Sequence, residues 1–256
     1  KRAKGVCPAC NRELEKKNKM RRENRDQQMH DRALDTAHLN FAIDAQKVLS
    51  PEQVYTDYLH RFAYGTDASL YRYVPEVVVR AHNEEEVVKL MKIATEHNVA
   101  LTFRAAGTSL SGQTSSESVL VLMGDGFHNL EVGEKGESIT LGPMVIGADA
   151  NRALKPYGRK IGPDPASINA ARIGGIVANN SSGMCCGTKD NSYHTLQDIR
   201  LVLFDGTILD TRDAQSVADF RKSHADLLAS LLDLRAQLIL NPALKERIET
   251  KYRLKN

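Results

Sequence analysis

Residues 75–112 constrain the fold more than any other part of this 256-residue chain. Val77, Val78 and Val79 form a β-branched run, which predicts a strand. Asn83 followed by Glu84, Glu85 and Glu86 predicts a helix start, because Asn caps free backbone N–H groups and acids suit the positive end of the helix dipole. Val87, Leu90, Met91 and Ala94 then recur at helical spacing and predict one buried face. Val99, Leu101 and Phe103 alternate with Ala100, Thr102 and Arg104, the period of a strand. Strand, helix, strand and a small-residue loop make a βαβ unit whose loop lies at a strand's carboxyl end.

The remaining pattern is consistent with one mixed domain behind an arm. Residues 119–123 and 138–141 read as strands, and residues 199–204 and 207–209 as a hairpin closed by a tight Asp205-Gly206 turn. Residues 214–241 are amphipathic at helical spacing, with a break expected near Pro242. Residues 1–40 hold no aromatic side chain and read as an exposed helix or a disordered arm. The net charge of +3 divides unevenly: residues 1–28 hold 10 Lys/Arg against 4 Asp/Glu, leaving 25 against 28 for the rest. The basicity therefore belongs to the arm, where without interleaved aromatics a solvated helix is the reading rather than a nucleic-acid contact. No apolar run approaches the roughly 20 residues of a membrane helix. Four cysteines at this length make no disulfide framework, and Cys7 and Cys10 form a CxxC whose surroundings fit no standard zinc module, so no metal is expected.

Two segments carry the chemistry. In Arg104-Ala-Ala-Gly-Thr-Ser-Leu-Ser-Gly-Gln113, small residues let the backbone approach a ligand, and successive N–H groups with the Thr108, Ser109 and Ser111 hydroxyls suit phosphate oxygens. A plain tight loop is the competing reading of that segment alone. The Walker, Rossmann and nucleophile-elbow patterns are all missing from it. The second segment runs through Gly162-Pro-Asp-Pro165, Ile173-Gly-Gly175, Asn179-Asn-Ser-Ser-Gly183 and Cys186-Gly-Thr188. Glycines this dense over so long a stretch point to backbone packed against something flat or charged. Cys185 and Cys186, adjacent there, read as packed small residues.

With both segments in view, the chain resembles the p-cresol methylhydroxylase and vanillyl-alcohol oxidase superfamily of FAD-binding domains. AYGTDAS at 63–69, LTFRAAGTSLSGQ at 101–113, RKIGPDPASINAARIGGIVANNSSGMCCGT at 159–188 and FDGTILDT at 204–211 resemble its D-lactate dehydrogenase and glycolate oxidase-like branch, in which a flavin domain precedes an iron–sulfur domain. The resemblance covers residues 41–256. It implies an α+β, two-subdomain FAD-binding fold of the p-cresol methylhydroxylase type, C-terminally incomplete, with residues 1–40 as a separate arm. Ala105, Ala106, Gly107, Thr108 and Ser109, with Gly112 and Gln113, match the family's first pyrophosphate loop. Pro163, Ile173, Gly174 and Gly175 match the second FAD-lining segment, and Asn180, Ser182, Gly183 and Thr188 the stretch passing the pyrophosphate and the flavin ring.

Members that bind flavin covalently through the first loop carry a His there. Residues 105–113 hold none, so non-covalent FAD is expected. The implied activity is oxidation of a 2-hydroxy acid, D-lactate first, to the 2-oxo acid. The family's Gly-Ser-Glu-Gly-Thr-Leu-Gly motif, substrate cap and iron–sulfur domain are not among these residues, so the chain is expected to be an N-terminal part that the rest of the polypeptide or another chain completes. It is expected to be inactive alone, and no catalytic residue is named within it. The expected partners are a small-molecule 2-hydroxy acid and an unspecified electron acceptor, with no nucleic acid. The expected compartment is the cytoplasm, with peripheral attachment to the inner face of the membrane as an option. The rival reading is a non-catalytic flavin-binding or scaffold part of an assembly.

Overall fold

The computed structural model of the chain describes residues 12–21, 23 and 34–252. Cys7 and Cys10 lie outside the described residues. Residues 12–21 have helical backbone and are exposed throughout.

The core is a four-stranded sheet in the order β1-β2-β4-β3, with β1 Val54–Tyr55, β2 Val77–Ala81, β3 Leu101–Arg104 and β4 Val119–Met123. β2, β4 and β3 run parallel, and β1 is antiparallel to β2. The expected βαβ unit is present, but its crossover skips a place, because β4 inserts between β2 and β3. The composition of β4 accounts for its position: Val119, Leu120, Val121 and Leu122 are all buried, as a central parallel strand covered on both faces requires.

One face of the sheet packs under two helices, Thr36–Val48 and Glu84–His97, where Phe41, Leu90, Val77, Val79, Val119 and Val121 share one cluster. Val87, Leu90 and Ala94 are buried as their spacing predicts; Met91 is only partly buried, and Ile93 takes a place in that face. Asn83 caps the second helix by accepting from Glu86 N at 2.9 Å, and Glu86 in turn accepts from His82 N at 2.7 Å. The opposite face, with Val78, Leu120 and Leu122, is met by Tyr55 and Tyr64.

The first helix begins at Thr36, so the packed chain reaches back past residue 41. Asp35 caps it by accepting from His38 N at 3.0 Å. The His38 ring bonds Asp35 through Nδ1 at 2.7 Å and Ser118 Oγ through Nε2 at 2.8 Å, tying the helix start to the approach to β4.

Two small antiparallel pairs follow: β5 Leu130–Val132 with β6 Ile139–Leu141, and β7 Arg200–Val202 with β8 Ile208–Asp210. The second hairpin corrects the expected two-residue turn. Leu203 pairs with Thr207 around a three-residue loop, with Gly206 N donating to Leu203 O and Gly206 at φ +82°. Only the glycine is left-handed, so this is a type I turn with a bulge rather than a primed turn. The long helical stretch breaks just before Pro242, as expected, and at one further place. It is interrupted at His224, between helices Ala214–Ser223 and Ala225–Ile239, and Pro242 opens a third helix, Pro242–Tyr252, at 87° to the second. Proline is suited to a first helical turn, where its missing N–H has no intrahelical partner to lose.

Candidate ligand site

The loop after β3 leaves the carboxyl end of the parallel sheet, the edge at which open α/β sheets bind ligands. It borders an open cleft of about 570 Å³ lined by Ala105, Ala106, Gly107 and Thr108, by the carboxyl ends of the three parallel strands, and by residues of the 64–68 loop. Within the described residues, the backbone N–H groups of Ala106, Gly107, Thr108 and Ser109 donate no hydrogen bond. Gly107 has φ +67°, a left-handed conformation that glycine adopts without a Cβ penalty, so the chain can turn there and present consecutive amides.

Hydrogen bonds between neighbouring loops fix this loop. Asp67 accepts from Ser69 N and from Thr114 Oγ1, each at 2.8 Å, and Ala68 N donates to Gly107 O at 2.9 Å. Burial acts to raise the Asp67 carboxyl pKa, but hydrogen bonds from Ser69 and Thr114 outweigh it and hold the group below the usual carboxylate range. The base of the 64–75 loop is pinned by a buried ion pair, with Arg61 Nη2 at 2.8 Å from Glu76 Oε2 and Arg61 Nε donating to Pro75 O at 2.7 Å. Removing one member of such a pair costs roughly 3–5 kcal/mol, because the other charge stays buried.

The structure joins the two segments singled out by sequence. Gln113 Nε2 donates to Asn179 Oδ1 at 3.2 Å, and Ser109 Oγ bonds Gln113 Oε1. Ile173, Gly174 and Gly175 open a short helix, Ile173–Ala178, anchored by Ile173 N to Val145 O and Gly174 N to Pro143 O, both 2.9 Å. A Cβ on Gly175 would meet nothing within 4 Å, so that glycine faces open space. Asn180 is left-handed at φ 42°, and its Oδ1 accepts from Tyr193 N at 3.0 Å. Gly183 is packed on Asp164 so closely that a Cβ would lie 1.9 Å from Asp164 Oδ1. Thr188 O accepts from the His194 ring at 2.8 Å, and Pro163 is buried. Pro163, Gly183 and Thr188 thus shape the segment, whereas Ala105 to Thr108 line the cleft itself.

Of the two adjacent cysteines, Cys186 is buried but Cys185 is exposed, which corrects the expectation that both pack inside. Contact with the Asp164 carboxylate pushes the Cys185 thiol pKa up, and burial does the same for Cys186.

The residues that sequence reasoning passed over are two arginines in the cleft wall, Arg80 and Arg104. Arg104 Nη2 and Arg80 Nε are buried without a hydrogen-bond partner. Unpaired donors beside free amides are the expected complement of a phosphate-bearing cofactor, so the residues present fit such a group.

A family profile described as FAD binding domain matches residues 75–212. Over 172 residues the chain is 31% identical to the glycolate oxidase subunit GlcD of Bacillus subtilis, covering 64% of this chain and 36% of that protein. It is 25% identical over 234 residues to D-2-hydroxyglutarate dehydrogenase of Haemophilus influenzae, covering 85% of this chain and 23% of that protein. It is 30% identical over 147 residues to mitochondrial D-lactate dehydrogenase [cytochrome] 1 of Saccharomyces cerevisiae, covering 54% and 24%. The chain therefore spans between about a quarter and a third of the length of these relatives. Among solved structures, 4-ethylphenol oxidase from Gulosibacter chungangensis superposes with a TM-score of 0.60 at 20% identity, covering 70% of this chain and 36% of that one. That likeness bears on the fold, which is of the p-cresol methylhydroxylase type.

Proposed function

Since the chain belongs to the family of FAD binding domains, we propose that it forms the diphosphate-cradling part of a flavoenzyme that oxidises a 2-hydroxy acid to the 2-oxo acid. The observation that carries this reading is the row of unengaged amides from Ala106 to Ser109, held at the carboxyl end of β3 beside the cleft. Bound FAD supplies the two-electron acceptor for the hydroxy acid's hydrogen. The chain's own residues bind and orient it. The loop amides meet the diphosphate, the Gln113–Asn179 bond keeps both segments on the same ligand, and open space at Gly175 leaves room beside the second.

Within the 2-hydroxy acids, D-lactate is our first choice. The relatives named above act on glycolate, D-2-hydroxyglutarate and D-lactate, and all three share an α-hydroxycarboxylate. The groups that take the hydroxyl proton and hold the substrate carboxylate lie, in this reading, outside the present residues, as does any iron–sulfur relay to the electron acceptor. FAD is held without a covalent bond. The enzyme works in the cytoplasm or at the inner face of the membrane.

The test is anaerobic mixing of the FAD-loaded full-length enzyme with D-lactate, D-2-hydroxyglutarate and glycolate in turn. Bleaching of the flavin band by at least one of them is expected, fastest with D-lactate. A flavin that stays oxidised with all three overturns the oxidoreductase reading, and a faster response to another acid overturns the D-lactate choice.

A further inference from the structure

Arg80, Leu122 and Arg104 stand in one row of the sheet, because Leu122 is the register partner of both arginines. Alternation along the strands puts Arg80 on the face of Val78, and Leu122 on the face of Leu120, away from the two covering helices. Two guanidinium groups therefore flank one leucine, two strand spacings apart, at the sheet's carboxyl end. Like charges so placed repel unless something negative lies between them.

Within the described residues no carboxylate hydrogen-bonds either guanidinium, and the one that acts on Arg104 through space is Asp67. Arg104 is 6% exposed, yet its N–H groups go to carbonyls: Nε to Thr114 O at 2.7 Å, and Nη1 to Tyr64 O at 2.7 Å and Thr66 O at 3.0 Å. Its Nη2 has no partner. Arg80 donates Nη2 to Tyr64 Oη at 3.1 Å and leaves Nε without a partner. Asp67 directs its hydrogen bonds to Ser69 and Thr114, so its single charge reaches Arg104 only through space and leaves the second guanidinium uncompensated. Arg61, by contrast, has its buried guanidinium paired with Glu76.

We propose that Arg80 and Arg104 are the cationic partners of the cofactor's diphosphate, and that Arg104 also positions the amide-bearing loop. The proposal deepens the flavin reading and rests on it. Arg104 grips the carbonyls of the 64–66 turn and of Thr114, so it clamps both ends of the cradle while Nη2, in the cleft wall, keeps no protein partner. A planar fork can serve both duties at once, whereas an ammonium group cannot. The shared chemistry is a phosphoryl anion, and the test separates a dinucleotide's diphosphate from other sources.

The experiment titrates the flavin-free full chain with FAD and with riboflavin, and uses ADP as a competitor of FAD, in the wild type, Arg80→Met, Arg104→Met and Arg104→Lys. The wild type is expected to bind FAD more tightly than riboflavin, with ADP competing. Each Met variant should lose about 10- to 100-fold in FAD and ADP affinity, with riboflavin affinity unchanged. Arg104→Lys should recover only part of the loss, and circular dichroism should be unaltered in all of them. Equal loss of FAD and riboflavin would mark the arginines as merely structural and overturn the proposal, as would wild-type FAD affinity in both Met variants. A wild type that binds FAD no better than riboflavin overturns the diphosphate contact while sparing the flavin reading. A wild type that binds neither flavin overturns both.

Discussion

Gly107 and Gly175 show two different ways in which a glycine can serve a ligand. At Gly107 the constraint is backbone conformation: φ is +67°, while an added Cβ would sit at ordinary distances from Arg104 and Asp67. At Gly175 a Cβ would meet no atom of the chain within 4 Å, so any intolerance there has to come from what occupies the space. Both were legible in the sequence as members of glycine-rich segments, because small-residue density survives without tertiary information. Arg80 and Arg104 were not. Their significance lies in a shared register with Leu122, which only the pairing of three strands creates. The composition of the first loop also bears on the proposed mode of attachment. Residues 105–113 offer no His, so acid precipitation of the holoenzyme should leave yellow cofactor in the supernatant. Flavin that stays with the pellet would contradict non-covalent binding.

At the level of elements, the strands and helix of residues 77–104 were readable because period and capping agree there, whereas β1 and β5 were not. β1 is two residues long, and its identity comes from pairing with β2. The break at His224 was equally hidden. The apolar period runs through it, and the interruption coincides with a tertiary contact, His224 Nε2 to Asp205 Oδ2 at 3.0 Å. Elements outside the cleft should separate from it in experiment. A chain starting at Phe41 loses the Asp35 cap and the His38–Ser118 bond, together worth about 2 kcal/mol. Its melting temperature should fall by about 4–8 °C, with FAD affinity retained, since residues 36–40 do not line the cleft. An unchanged melting temperature would contradict the tie, and lost flavin would contradict the separation. The loop tie through Asp67 has its own signature. Its folded pKa is depressed, so its contribution is fully present above the ordinary Asp value of about 3.9 and is lost as pH falls through the lower folded value. FAD release on acidification should therefore begin at a higher pH in Asp67→Asn, which lacks the charge throughout. Coincident release profiles would show that the Asp67 charge does not hold the cradle.

For the whole molecule, the two segments become one site because the parallel sheet presents its carboxyl edge beside the helix Ile173–Ala178, and Gln113 reaches Asn179 across the gap. In the sequence, only the family resemblance places both segments on one ligand, and the Gln113–Asn179 contact itself comes from the fold. Among the described residues of the arm, Arg12 to Arg21 lie on exposed helical backbone and do not line the cleft. The helix Ala225–Ile239 leaves Leu231, Leu232, Leu234 and Leu238 exposed, an apolar surface that contributes nothing to the cleft. The central claim is that both segments touch the same FAD. Equilibrium titration of the flavin-free full chain with FAD, in the wild type and in Gly175→Val, tests it directly. The account predicts one FAD per chain in the wild type, and loss of saturable binding in Gly175→Val with circular dichroism and melting temperature nearly unchanged. Wild-type stoichiometry and affinity in Gly175→Val would contradict it, because the second segment would then not face the cofactor.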